Sequence, residues 1–329
     1  MTALAPLLEA FFTDRLYKQQ LASPNTVSAY RDTFRLLLSF AQQRLAKQPS
    51  SLLLADLDAR LVGAFLNHLE SDRKNCTRTR NARLAAIRSF FHYIAVKEPG
   101  HIALIQRVLA IPQKRFNRNL VNFLIRAEID ALLAAPDRTT WIGRRDHALL
   151  LVAIQTGLRV SELIRLSVDQ LILQTGPHIR CRGKGRKERC TPLTAQTVAT
   201  LRTWLREQKG NLTDSVFPSR RGGALSRDAV ERLVTKYANK AAQSCPSLKS
   251  KRVSPHVLRH TTAVQLLQAG VDCSVIALWL GHESVETTQM YLHADLSIKE
   301  KAIARTNPLP DQYRRYQPDD RLLAFLNGL

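Results

Sequence analysis

The sequence predicts a mainly α-helical protein of two domains, the second of which carries one small antiparallel β-sheet. Three observations predict it. Apolar residues recur at helical spacing along most of the 329-residue chain. One stretch, His178 to Pro192, alternates instead around a Gly-containing turn. Helical patterning breaks at Pro99-Gly100 and at the basic segment that follows, and a chain of this length usually divides into about two domains.

In the first domain, Ser23-Pro24 is a helix start, with Ser at the N-cap and Pro at the first helical position. Val27, Tyr30, Phe34, Leu37, Leu38 and Ala41 follow at helical spacing. Leu57, Leu61, Phe65, Leu66 and Leu69 form a second stripe, and Leu84, Ile87, Phe91 and Ile94 a third. Arg78, Arg80, Arg83 and Arg88 surround that third stripe without matching acids, which favours phosphate contact over a merely solvated face. Ile111 to Asn119, including Lys114, reads as a basic linker between a domain of residues 1–110 and one opening near Leu120. There, Arg145 to Gln155 form an apolar helix that stops at Gly157. In the His178–Pro192 hairpin, Ile179 and Cys181 alternate with Arg180 and Arg182 before Gly183-Lys184-Gly185-Arg186. Helical patterns resume at Thr194 and run to Ala304.

Composition narrows the partners. Lys and Arg number 49 against 27 Asp and Glu, a net charge of +22 that favours a polyanion, with nucleic acid first. A membrane surface fits less well, because the basic residues are dispersed rather than set beside one apolar helix. No apolar run reaches spanning length, and the N-terminus carries Glu9 and Asp14 where a signal peptide would be basic. The five cysteines include no C-x-x-C pair and suit reduced thiols rather than disulfides or zinc. A cytoplasmic protein is expected.

Five segments of the second domain carry residues suited to a phosphodiester: Thr156-Gly157-Leu158-Arg159-Val160-Ser161-Glu162-Leu163, the Gly183-Lys184-Gly185 turn, His256-Val257-Leu258-Arg259-His260, Leu280-Gly281-His282, and Tyr291. Displacement at phosphorus passes through a state carrying extra negative charge, which fixed donors stabilise. Arginine suits that task, because its planar fork grips two oxygens and stays protonated. A nucleophile and an acid for the departing oxygen complete the requirement. Singly, each residue has an ordinary explanation. H-x-x-R also describes a helix face with ion pairs, Arg159 is equally a partner for Glu162 three residues on, and Lys184 suits a simple backbone-phosphate contact. His256 and His260 have metal-ligand spacing, but no carboxylate follows and Arg259 would place a cation beside the ion.

The order and local context of the set resemble the tyrosine recombinase (phage integrase) family, most closely its Xer-like bacterial members. That family shows an Arg in T-G-L-R-x-S-E-L, a Lys in a G-K-G-x-K-E-R hairpin, H-x-x-R-H, L-G-H, and a Tyr nine residues after that last His. Here these positions are Arg159, Lys184, His256, Arg259, His282 and Tyr291, complete and in order. The resemblance spans nearly the whole second domain, and the first resembles the family's SAM-like core-binding domain more loosely.

It implies a C-shaped clamp on double-stranded DNA, with a catalytic domain over residues 120–306. It implies that Tyr291 attacks the scissile phosphate to give a 3′-phosphotyrosine and a free 5′-hydroxyl. Arg159 and Arg259 would hold the non-bridging oxygens, with His282 adding a hydrogen bond. Lys184 would protonate the leaving oxygen, and His256 would help remove the proton from Tyr291. Neither cofactor nor metal is needed. A type IB topoisomerase and a catalytically idle DNA-binding relative are the alternatives; the complete set of six disfavours the second. Residues 307–329 hold three prolines and then Leu322, Leu323, Leu326 and Leu329 at helical spacing, a tail expected to pass between protomers of a homotetramer.

Overall fold

In a computed structural model of the chain, residues 2–116, 121–182, 188–208, 214–282, 284–289 and 291 are described. The chain forms two compact units, Met1–Arg118 and Asn119–Leu329.

The first unit is helical. Helix α1 (Leu4–Ala10) passes into a π-helical stretch, Phe11–Gln19, and is followed by α2 (Pro24–Leu45), α3 (Ala59–Ser71), α4 (Thr77–Lys97) and α5 (Ile102–Leu109). The Ser23 hydroxyl accepts the Thr26 N–H at 3.2 Å, so the sequence's helix start is a real cap. Each of the three apolar stripes turns inward. Phe34, Phe65 and Phe91 are fully buried with Phe11 and Phe90, and Phe11 meets Phe90 edge-on at 5.5 Å between ring centroids.

The arginines of α4 are engaged within the unit to different degrees. Arg80 is only 5% exposed and donates to Asn81 and to the Pro112 carbonyl. Arg83 donates to the Ala29 carbonyl and Thr33 on α2. Arg88 donates to the carbonyls of Leu109 and Ile111. These bonds spend the buried Arg80 within the unit, whereas Arg83 and Arg88 are half-buried and each uses one terminal nitrogen on it. Arg78 is the exposed one and lies over the Phe116 ring at 5.5 Å. The same bonds change the expected linker. Asn81 also exchanges two hydrogen bonds with the Lys114 backbone, and the exposed Lys114 ammonium meets Glu70 at 2.6 Å, so residues 112–114 are fastened to the first unit.

The second unit comprises α6 (Arg126–Ala134), α7 (Trp141–Thr156), α8 (Val160–Ile164), three strands, α9 (Ala195–Glu207), α10 (Arg227–Ala241), α11 (Pro255–Gln268), α12 (Cys273–Leu280) and the short α13 (Glu286–Gln289). Helix α7 is buried on nearly every side and packs on α9 and α11. It begins at Trp141, earlier than its apolar run suggests, because the Thr140 hydroxyl caps it by accepting the Gly143 N–H. The sheet has the order β1 (Leu171–Ile172), β2 (His178–Arg182), β3 (Glu188–Pro192), all antiparallel. The β2–β3 hairpin was legible; β1 is two residues long, too short for alternation to show. The register sets Cys181 opposite Arg189, which places Arg189 on the inward pleat beside a buried thiol.

Candidate active site

Two helix ends build the site. Helix α7 stops at Gly157, whose φ of +63° closes the helix in the left-handed region. A Cβ there would lie 2.6 Å from the Leu280 side chain and 3.2 Å from Thr262, so glycine is required twice over, by conformation and by space. Helix α12 stops in the same way at Gly281, φ +66°, where a Cβ would lie 2.8 Å from the Arg189 guanidinium. The carbonyls freed at these two ends hold the arginines. Arg259, 5% exposed, donates to Gly157 O at 2.7 Å and to Leu280 O at 2.6 Å. Arg159 donates to Gly281 O at 2.8 Å. Residues 159 and 259, distant in sequence, thus share one pair of helix termini.

Glu162 ties the pair to the sheet. It accepts the Arg159 backbone N–H at 2.8 Å and the Arg159 side chain at 3.2 Å, the local pairing that its spacing allowed. It also receives Arg189 through both oxygens, at 3.0 and 2.8 Å, a bidentate pair whose side chains are 6% and 10% exposed. Arg189 then donates its Nε–H to the Trp279 carbonyl at 3.0 Å. Burial alone would raise the Glu162 carboxyl, but Arg189, Arg159 and the backbone N–H hold it below the usual carboxylate range. Burial pulls the Arg259 guanidinium down to about 10, with Arg159 adding to the effect.

Tyr291 is 2% exposed and packs among Ala263, Val264, Ile276 and Leu280. Its hydroxyl lies 3.0 Å from His260 Nδ1, and the His282 ring stacks on it at 6.3 Å between centroids. Burial pushes the phenol up, while Arg259 and Arg159 pull it back. His260 is lowered to about 4 by burial, then by His256 and Arg259. His282 is lowered to about 4 by burial, then by Arg259 and Arg159, and its Nδ1 meets Thr288 Oγ1 at 2.8 Å. The more exposed His256 is lowered by partial burial and by Arg227 and Arg259.

Of the six residues singled out from the sequence, the structure brings Arg159, Arg259, His282 and Tyr291 around one buried centre. His256 is beside Arg259 on α11, but the imidazole on the phenol is His260. Lys184 and Arg186 lie outside the described residues, as does the 307–329 tail. Sequence reasoning passed over Arg189 and weighed His260 only as a metal ligand. The inward register of the hairpin was the signal for the first, and the position of His260, directly after Arg259, the signal for the second. Among the described residues, no group of three or more His, Cys, Asp or Glu is placed to hold a metal, and no helix is long and apolar enough to cross a membrane.

Residues 122–297 match the phage integrase family, and residues 10–98 match the phage integrase N-terminal SAM-like domain. The chain belongs to the phage integrase family of tyrosine recombinases. A Sinorhizobium fredii protein named "Putative integrase/recombinase y4rC" is 58% identical over 99% of this chain and 98% of its own length. Tyrosine recombinase XerD of Pseudomonas putida is 32% identical over 92% and 97% of the two chains. In fold, the chain is similar to the XerH site-specific recombinase bound to its difH substrate, with a TM-score of 0.64 and 23% identity over 89% of this chain and 83% of that one. As a member of this family, the protein is a site-specific recombinase, an enzyme that transfers DNA strands.

Proposed function

We propose that this recombinase cuts and rejoins double-stranded DNA at the centre just described, with Tyr291 as the nucleophile. One observation carries the assignment: Arg159 and Arg259 are held on the adjacent carbonyls of Gly281 and Leu280, and Leu280 packs with Tyr291, although 100 residues of chain separate the two arginines. Such a pair suits a phosphate that gains negative charge as it is attacked. Each guanidinium spends only part of its five N–H donors on the protein, leaving the rest for the non-bridging oxygens. His282 adds a hydrogen bond to those oxygens, and His256, one turn before Arg259, assists in drawing the proton from Tyr291. Lys184, which falls in sequence between β2 and β3, donates the proton to the departing 5′ oxygen. The product is a 3′-phosphotyrosine, which keeps the phosphodiester energy for rejoining.

A duplex nicked near the cleavage point tests this, because release of the short 5′ fragment traps the adduct. The parent protein should leave a denaturation-resistant protein–DNA species, and Tyr291→Phe should leave none while binding DNA within a few-fold of the parent. Persistent adduct in the Phe variant would assign the nucleophile elsewhere.

The same reading has four protomers assembled on two duplexes, in the cytoplasm, each passing its 307–329 tail to a neighbour. The support is the tail's sequence: prolines at 308, 310 and 318, then leucines at helical spacing behind Asp319-Asp320. Deleting residues 319–329 should spare binding to a single half-site and impair strand exchange. Normal recombination by the truncated protein would show that the tail serves no neighbour.

A further inference from the structure

We infer that His260 is the residue that takes the proton from Tyr291 when the phenol attacks, and returns it when the DNA is rejoined. The inference rests on Tyr291 being the nucleophile.

The geometry is direct. His260 Nδ1 lies 3.0 Å from the Tyr291 hydroxyl, with the rings tilted at 58° and 5.5 Å between centroids. That is hydrogen-bond distance for an O–H donating to an unprotonated ring nitrogen, with the imidazole proton on Nε2. Among the described residues, His260 is the hydrogen-bonding partner of the phenol. His282 also stacks on the tyrosine, but its Nδ1 is engaged by Thr288.

Position explains why the residue is there. His260 follows Arg259 on α11, so the backbone that aims the guanidinium at Gly157 and Leu280 also fixes the neighbouring imidazole. The next two residues lock the helix in place. Thr261 receives the Leu124 N–H and Thr262 donates to the Ile154 carbonyl. The surroundings fit the role as well. Burial, His256 and Arg259 keep His260 neutral at physiological pH and therefore able to accept. A buried phenol pushed up from its ordinary value needs an acceptor within reach.

The step balances. The tyrosine O–H bond breaks as its oxygen bonds to phosphorus, and the proton passes to His260 Nδ1. The bond from phosphorus to the 5′ oxygen breaks, and that oxygen takes a proton from the acid. Rejoining reverses each transfer, with the protonated imidazole serving as acid for the departing phenol.

The test alters the phenol rather than the pH. His260→Asn keeps an oxygen acceptor close to the Nδ1 position but cannot hold a proton; His260→Ala removes both. Each is placed in the full-length protein with Tyr291 either unmodified or replaced by a trifluorotyrosine, whose phenol is far more acidic than the ordinary ~10. Single-turnover adduct formation on the nicked duplex is the readout. With ordinary tyrosine, both variants should lose at least ~100-fold in cleavage rate while binding DNA within a few-fold of the parent. With the fluorinated tyrosine, most of the His260→Asn loss should disappear. An equal loss on both tyrosines would overturn the proton-acceptor role. So would full activity of His260→Asn with ordinary tyrosine, which would reduce His260 to a positioning contact. Faster cleavage by His260→Ala would also overturn it, by showing that the contact stores the tyrosine away from DNA. Failure of the nucleophile assignment itself is read separately, from adduct formed by Tyr291→Phe.

Discussion

Removing the Glu162 carboxylate should both weaken the second unit and disable it, and the two effects can be pulled apart. In Glu162→Ala, Arg189 keeps its Nε bond to Trp279 O but loses both contacts at 3.0 and 2.8 Å, leaving a side chain only 10% exposed without its counter-charge. Breaking a buried pair from one side costs roughly 3–5 kcal/mol, mostly from the stranded charge. Replacing both partners with apolar residues of similar volume, Glu162→Leu with Arg189→Met, removes the stranded Arg189 charge and should recover part of that stability, with the Arg159 N–H and the Trp279 carbonyl losing their partners. It should not recover cleavage, because Arg159 then lacks the carboxylate that holds its side chain and its backbone N–H. A misplacement of about 1 Å near the reacting centre costs on the order of 100-fold in rate. The assay is urea unfolding followed by tryptophan fluorescence, which reports the second unit alone because Trp141, Trp204 and Trp279 all lie within it. Adduct formation on the nicked duplex runs in parallel. Equal destabilisation in the single and double variants would refute the stranded-charge argument. Full cleavage by either would refute the positioning of Arg159.

Three further outcomes are expected. Lys184→Ala should slow cleavage by roughly 100- to 10,000-fold, yet match the parent on a substrate whose 5′ bridging oxygen is sulfur, because a thiolate leaves without a proton; equal defects on both substrates would rule out the acid role. Stability of the second unit should fall as pH drops. His260 and His282 are held near 4 by burial and by neighbouring cations, against ~6.5 in the unfolded chain, so their contribution is complete above ~6.5 and lost as pH falls through 4. Each is worth up to ~3 kcal/mol, and an unchanged urea midpoint between pH 7 and 4.5 would count against neutral burial. Arg80→Ala should lower the stability of the first unit by about 1–3 kcal/mol through its unsatisfied carbonyl, read by circular dichroism, and leave the salt dependence of DNA binding unchanged. A salt slope reduced by about one would restore Arg80 as a phosphate contact.

The helices of the first unit were legible because its stripes are regular and its caps ordinary, as at Ser23. Which arginines of α4 are engaged within the unit was not legible, for a definite reason. Charge density along a helix does not say whether a guanidinium faces water or a carbonyl, and the carbonyls that claim Arg80 and Arg88 lie 21 to 32 residues further on. Arg159 and Arg259 were legible through their local contexts, whereas the helix ends that hold them became visible only once Gly157 and Gly281 were placed in space. His260 was overlooked because its partner is a tyrosine 31 residues away. Spacing along one helix could suggest only a neighbour on that helix.

The carbonyl tethers bear on how DNA and protein meet. Arg259 is held among the described residues by the ends of two helices rather than by an acid, so an arriving phosphate displaces no counter-ion from it. Dipoles stay in place when the ligand comes, and their attraction adds to the new one instead of competing with it. Arg159 and Arg189 pair with Glu162, while burial, with the nearby Arg159 adding to it, lowers Arg259. On the proposed function, a backbone phosphate brings an anion to these guanidiniums. Substrate therefore relieves the second unit as it binds, and a duplex bearing the cleavage site should raise the melting temperature of that unit more than an equal charge of non-specific DNA.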